Sequence, residues 1–433
     1  MTAATFKSTI ERIANRRMKS PVASQFTGVV GYRAYFRGKA DGLSGIVARG
    51  DTLTIRLSHP DGGFLAGLAD LSVCAVPPGT PADAQGIDNI PSAGPYYVAS
   101  YAPGRQLVLK RNPNYQGERP HRLVEIVVAI GVDSSRALGE IEAGKADYAL
   151  EGLPRDAGPR LESQYGPGSK AAKEGHQQYF ISEANAARYM HMNTSRPLFS
   201  SVRLRRAVNY AIDRAALVAQ GRRFAETNPF NAGKPTDDYL PPSMAGARDF
   251  HLYPLNRAEL RRAKQLAGRG HATAIMYTPN VPPWLQEAQI VRRDLKPLGI
   301  DVQVKEMPLD DFYARIVRPA EPYDLAVSGW YFGSDPISAL AIFTGHRTST
   351  QSGPNFSHLA DAAFNRKLAA AERLSGTARY RAAERLSLEL ERDLAPAAAF
   401  SINASRDFFS ARTGCQVYQP FFGIDLAALC LRR

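Results

Sequence analysis

The chain has 433 residues, 44% of them hydrophobic and 22% charged, and its 54 Lys and Arg against 41 Asp and Glu give a net charge of +13. That length buries a large core and predicts two lobes, and the composition excludes a disordered chain. No run approaches the roughly 18 apolar residues of a membrane span, and the basic residues are scattered rather than blocked, which argues against a dedicated nucleic-acid surface.

The opening, Met1 to Arg17, lacks the apolar core of a signal peptide. Instead Phe6, Ile10 and Ile13 fall on one helical face, with Thr2 or Thr5 as cap. In residues 51–60, Leu53, Ile55 and Leu57 alternate with polar residues, the pattern of a half-buried strand. Residues 75–94, rich in Pro, Gly, Ala and Asp, read as a loop. Two β runs, 96–101 and 106–111, flank the turn Pro103-Gly104 and form a hairpin. The continuous apolar run 123–130 predicts a strand covered on both faces. Asp133 caps a helix that carries Leu138 and Ile141 inward and stops at Gly144; Asp147-Tyr148 then opens a further strand, which makes a βαβ unit.

Ser200 or Ser201 caps the next helix, with Leu204, Ala207, Val208, Ala211 and Ile212 at core spacing. Asp213 restarts a second helix ending at Gly221. Asn256 and Glu259 have the spacing of a capping box ahead of a helix through Leu260, Ala263 and Leu266 to Gly268. A strand at 273–277, a helix from Trp284 to Lys296 and a strand at 301–305 make a second βαβ unit. A helix at 309–317, a strand at 323–330, helices at 358–372 and 377–394 and a strand at 397–403 follow, and the tail from Ser405 is irregular. Helix and strand alternate twice around a long connection, which is the pattern of an α/β protein with two lobes.

The chain has no phosphate-binding GxxxxGK[ST] loop, no GxGxxG and no GxSxG elbow, and no pattern singles out a catalytic set. The reading is therefore of a protein that is not an enzyme and uses no cofactor. Of the three cysteines, none forms CxxC and no histidine has paired-ligand spacing, so no metal site is expected. Cys415 and Cys430 stand fifteen apart; the spacing suits either a loop-closing disulfide or two buried thiols.

Four segments taken in order carry a resemblance. They are SAGPYYVASYAPGRQLVLKRNPNYQG (92–117), SSRALGEIEAGKADYAL (134–150), MNTSRPLFSSVRLRRAVNYAIDRAALV (192–218) and YDLAVSGWYFGSDP (323–336). TGCQVYQPFFGIDLAALCLR (413–432) supplies a fifth. Together they resemble the extracytoplasmic solute-binding proteins of family 5, the peptide and nickel receptors of ABC importers. The resemblance implies a bilobal, periplasmic-binding-protein type II-like α/β fold. It assigns 1–194 to lobe I, 195–402 to lobe II and 403–433 to a return into lobe I. The implied protein is an extracytoplasmic monomer. It closes on a short peptide or other small solute in an interlobe cleft and delivers it to a membrane permease. Weighed against this reading are a truncated, non-binding family member, a hydrolase, and a basic nucleic-acid adaptor.

Two departures from the family pattern stand out. The opening TAATFKSTIERI (2–13) resembles a segment that in the family follows a signal peptide and several dozen residues of the first lobe, so the N-terminal part of lobe I is expected to be missing. The family's strand often presents an Asp shortly after Gly-Trp that pairs with a ligand ammonium. Here Gly333 occupies the third position after Trp330, and Asp335 matches a later carboxylate whose simplest role is to cap the next helix. Gly329 and Trp330 offer backbone groups for strand addition, and Trp330, Tyr331 and Phe332 offer aromatic surface, although alternation sends at least one of the three into the core. Asn193 and Phe400, placed where the chain crosses between lobes, complete the candidate ligand-binding residues.

Overall fold

The computed structural model describes all residues except 21, 88, 89, 151, 155, 223–231, 345–353 and 433. Of the loop expected over 75–94, residues 88 and 89 thus lie outside the described residues. The chain separates into two compact units at Ala149/Leu150 and Phe408/Phe409. The sequence reading placed its divisions at 194/195 and 402/403.

The first unit joins residues 1–149 to the C-terminal tail. Helix α1 (Ala3–Ala14) buries Ile10 and Ile13 as the spacing requires. Phe6 is 41% exposed, and the buried Thr5 and Thr9 take its place on the inner face. They do so at low cost, because Thr9 Oγ1 donates to Thr5 O at 2.9 Å and accepts from Val76 N at 3.0 Å. Strands β1 (Ile46–Arg49) and β2 (Thr52–Ile55) pair antiparallel beside this helix.

Strands β3 (Tyr96–Ala102), β4 (Gln106–Arg111) and β5 (Glu125–Ala129) form an antiparallel three-stranded sheet. Gly104, at φ +69°, makes the turn that the hairpin needs. The expectation that 123–130 is covered on both faces fails, since Val124 is 73% and Val127 51% exposed. Asp133 caps α2 (Ser134–Glu142) through Ser135 N and Arg136 N, and Leu138 and Ile141 are buried. The predicted βαβ closure does not form. Tyr148 makes a single antiparallel bridge to Phe409 and stacks on its ring at 4.6 Å, so the tail supplies the neighbour that β5 was expected to supply. Cys415 and Cys430 are disulfide-bonded at a Cα separation of 5.5 Å, and Cys74 is a free, exposed thiol.

The second unit is built on a six-stranded sheet. Its strands are β6 (Tyr179–Met192), β7 (Ala232–Pro235), β8 (Ala272–Pro279), β9 (Ile300–Met307), β10 (Leu325–Tyr331) and β11 (Ala397–Phe408), in the order β7-β11-β6-β10-β8-β9. The β8–β9 and β8–β10 pairs are parallel, and the pairs involving β6 and β11 are antiparallel. The expected second βαβ unit is present as β8, α3 (Trp284–Leu295) and β9.

Helices cover both faces of this sheet, so its central strands are buried continuously over 184–193 and 397–404. Met190, Met192, Val327, Ala398 and Phe400 face one core with Val208, Trp284 and Val291. Ala187, Tyr189, Ala397 and Ala399 face the other with Ile337, Phe364 and Leu386. Helix ends follow the sequence signals at Ser201, which accepts from Leu204 N, and at Asp213, which accepts from Ala216 N. The capping box at Asn256 and Glu259 does not form: Glu259 sits at the N-cap of the helix Leu260–Ala267 without a side-chain cap bond.

Candidate functional site

The candidate site lies at the carboxyl end of β10, where the chemistry follows from how the strand is paired. On one edge, β10 runs antiparallel to β6 through Gly329↔Arg188, Trp330↔Ala187 and Tyr331↔Ala186. On the other edge, its ladder to β8 stops at Ala326↔Tyr277. The last turn of β10 thus has β6 on one side and no strand on the other, the arrangement into which an extended backbone can add.

Alternation then sorts the side chains. Trp330 is half-buried, with its ring 5.9 Å from Phe356 and its indole Nε1 without a hydrogen-bond partner. Tyr331 is 45% exposed, with its hydroxyl beside the buried Asn403. Phe332 turns inward to 5% exposure and packs edge-on to Tyr189 at 6.4 Å. Its backbone is pinned to Asn185, which accepts from Phe332 N and donates from Nδ2 to the carbonyls of Phe332 and Gly333. Phe400 is fully buried in the core. Asn193 is also fully buried; its Nδ2 donates to Tyr323 O and its Oδ1 accepts from Ser195 N and Oγ. The six candidates therefore divide: Gly329, Trp330 and Tyr331 converge at the strand end, while Phe332, Phe400 and Asn193 are enclosed by the interior of the second unit.

The carboxylates near this strand end are already engaged. Asp335 receives both arms of the Arg379 guanidinium at 2.6 Å and caps the following helix through Ser338 N and Oγ. Gly333, where the family pattern often carries an acid, has open space around the position of a Cβ.

Beneath Gly329 lies a cluster that the sequence reading missed. Arg188 and Glu287, both fully buried, pair at 2.5 Å. The Arg188 guanidinium lies 4.8 Å from the Trp284 ring centroid and 5.5 Å from that of Phe400. Burial pushes the Glu287 carboxyl up to about 7 against the opposing pull of Arg188. In the sequence Arg188 is one of several polar residues of β6, and no spacing links it to Glu287.

His191 is equally enclosed, between Ser357 Oγ at 3.1 Å and Ser328 Oγ at 2.9 Å, and burial drives its pKa down to about 3. A neutral, inaccessible imidazole cannot act as a general base on an outside substrate. In the first unit, a cavity of about 570 Å³ is bordered by Leu71, Tyr96, Leu109, Ile126 and the tail residues Phe422 and Ile424. Gln419 and the Arg119–Asp425 ion pair at 2.8 Å add polar side chains to this lining.

Comparison with known proteins gives a consistent result. The family model described as "Bacterial extracellular solute-binding proteins, family 5 Middle" matches residues 1–351. The Probable D,D-dipeptide-binding periplasmic protein DdpA of Escherichia coli K12 is 25% identical over 291 residues, 64% of this chain and 52% of that protein. The glutathione-binding protein GsiB of Salmonella typhimurium is 24% identical over 216 residues, 49% of this chain and 39% of its own length. The chain thus spans about half the length, or less, of these curated relatives.

Among solved structures, clavulanic acid biosynthesis oligopeptide binding protein 2 superposes with a TM-score of 0.83 at 21% identity, covering all of this chain and 80% of that one. The unliganded open form of the periplasmic murein tripeptide binding protein MppA gives 0.76 at 20% identity, covering all of this chain and 82% of that one. These likenesses establish the bilobal α/β fold of periplasmic binding proteins.

Proposed function

Because the chain belongs to the bacterial extracellular solute-binding proteins of family 5, we propose that it is the receptor of an ABC importer, capturing a short peptide or similar small solute. The observation that carries this reading is the end of β10, where the ladder to β8 has stopped and Trp330 and Tyr331 flank an open strand edge. A ligand in extended conformation gains backbone hydrogen bonds there and aromatic surface beside them.

The receptor acts without turnover. The buried His191 and the paired Asp335 and Glu287 are committed to structure, which leaves the strand end, among the described residues, with binding groups rather than a poised acid or base. The ligand's main handle is not a lone ammonium-binding carboxylate, since Asp335 is held by Arg379 and the third position after Trp330 is Gly333. Closure on the ligand shifts the population toward a form that a membrane permease recognises, with the receptor acting as a monomer. An extracytoplasmic location agrees with the Cys415–Cys430 disulfide, a bond that persists in oxidising compartments. No described helix is long and apolar enough to cross a membrane.

Native mass spectrometry of the purified chain mixed with a pool of di- to pentapeptides tests this. A compact charge envelope carrying one added peptide mass supports the receptor. A compact envelope that retains no peptide, or that cleaves the pool, overturns it.

A further inference from the structure

Away from the strand end, the second unit carries a group of carboxylates with unbalanced charge. Asp237 and Asp238 follow β7, and Asp249 lies on the loop that returns beneath them; one carboxylate oxygen from each falls within 4.8 Å of the others. Asp237 is enclosed at 2% exposure, Asp238 is partly buried and Asp249 faces solvent. Each spends one oxygen on the backbone of the returning loop. Asp237 Oδ2 accepts from Tyr253 N at 2.8 Å, Asp238 Oδ1 from Phe250 N at 3.2 Å and Asp249 Oδ1 from His251 N at 3.1 Å.

The remaining oxygens are not matched by positive groups. Asp237 Oδ1 is buried with no hydrogen-bond partner. Among the described residues, Asp237 and Asp238 enter no ion pair, and Asp249 pairs only with His251 Nδ1 at 2.8 Å. The fully buried Arg214 lies close enough for Asp237 to act on it electrostatically, yet its donors go elsewhere. Nε bonds the carbonyls of Thr236 and Ala399, Nη1 those of Asn209 and Pro254, and Nη2 bonds Asn209 Oδ1. A fourth acid, Glu391, is 1% exposed, and Asp238 and Asp237 both act on it; its Oε1 accepts from Tyr239 N and Ser387 Oγ, while its Oε2 has no partner. Buried carboxylates at this spacing need either protons or a cation.

We propose that Asp237, Asp238 and Asp249 bind a divalent, oxygen-ligated cation of calcium's size. Ca²⁺ takes oxygen ligands in flexible, irregular geometry, which suits three carboxylates drawn from two chain segments, whereas Mg²⁺ demands a near-ideal octahedron and dehydrates reluctantly. The exposed side of Asp249 leaves room for the waters that complete the shell. The ion joins the segment after β7 to the loop 249–253 and so stabilises the second unit, independently of what binds at β10.

The test is thermal unfolding of the EDTA-treated chain, read by tryptophan fluorescence, with and without 1 mM CaCl2 or MgCl2. CaCl2 is expected to raise the midpoint by about 5 °C, as saturation of one site on a unit of this size gives, and MgCl2 by less than half as much. Asp249→Asn and Asp238→Asn keep an oxygen for the backbone bonds they receive and are expected to fold yet lose the calcium response. No shift in the native chain, an equal response to MgCl2, or a full calcium response in folded Asp249→Asn overturns the site.

Discussion

The Arg188–Glu287 pair beneath Gly329 gives a prediction that needs no ligand. Glu287 is fully buried, and its carboxyl titrates at about 7 in the folded chain against the ordinary 4.5. In the unfolded chain it loses its proton as pH rises past 4.5, but in the folded chain it holds that proton until about 7. The folded state therefore binds more protons across this window, and stability falls as pH rises from about 4.5 to about 7, then levels off. At about 1.36 kcal/mol per unit, the loss is about 3 kcal/mol. Glu287→Gln keeps an oxygen for Arg188 Nη2 but has no proton to lose, so it removes this dependence. Urea unfolding at pH 5, 6, 7 and 8, followed by tryptophan fluorescence, reads it directly, because the chain's two tryptophans, Trp284 and Trp330, both lie in the second unit. The variant should gain on the native chain steadily from pH 5 to pH 7. Parallel stability profiles in the two proteins would refute the argument that burial, rather than Arg188, controls this carboxyl.

Three further outcomes follow from the geometry. Trp330→Ala should weaken binding of the peptide found by native mass spectrometry by about 1–3 kcal/mol in isothermal titration, and an unchanged Kd in the folded variant would remove Trp330 from the site. Gly333→Asp, placed where a Cβ meets no neighbouring atom, should leave the midpoint of unfolding nearly unchanged and favour peptides with a free amino terminus over their acetylated forms by about 0.2–1 kcal/mol, the range for an exposed ion pair; equal affinities would mean that this position does not face the ligand. Replacing Cys415 and Cys430 together by Ser should lower the stability of the first unit by about 3 kcal/mol, the entropy estimate for a loop of this length, measured by urea unfolding of oxidised native chain against the double variant.

Most elements were legible because their signals are local. Asp133, Ser201 and Asp213 sit at helix starts where their oxygens accept backbone N–H bonds, and the hairpin turns at Gly104 with positive φ. Most misreadings concern partners distant in sequence. The run 123–130 has the composition of a strand enclosed on both faces, but composition does not say what covers it, and Val127 stays half exposed. Tyr148 was expected to continue a βαβ unit, yet it pairs with Phe409, more than 250 residues away. Asn256 and Glu259 have capping-box spacing, but the helix begins a turn later. At the site, alternation along 329–332 foretold that one aromatic would turn inward, and that residue is Phe332. Arg188 and Glu287 were invisible because a buried ion pair leaves no periodic mark.

The same accounting of partners bears on what ligand the strand end takes. A carboxylate that captures an ammonium must hold its charge with one face open to the ligand, and in water-exposed surroundings such a pair contributes little. Asp335 holds its charge but fails the second requirement: two guanidinium bonds and two Ser338 donors engage its oxygens, and removing Arg379 would leave its charge buried and unpaired. Glu287 fails the second, because it lies fully buried behind Arg188 and Trp284. What remains at the end of β10 among the described residues is neutral: backbone amides, an indole, a phenol and the space above Gly333. On the proposed reading, a site of that chemistry discriminates by shape and backbone hydrogen bonding rather than by charge, so capping a peptide's amino terminus should cost the native chain far less than it costs Gly333→Asp.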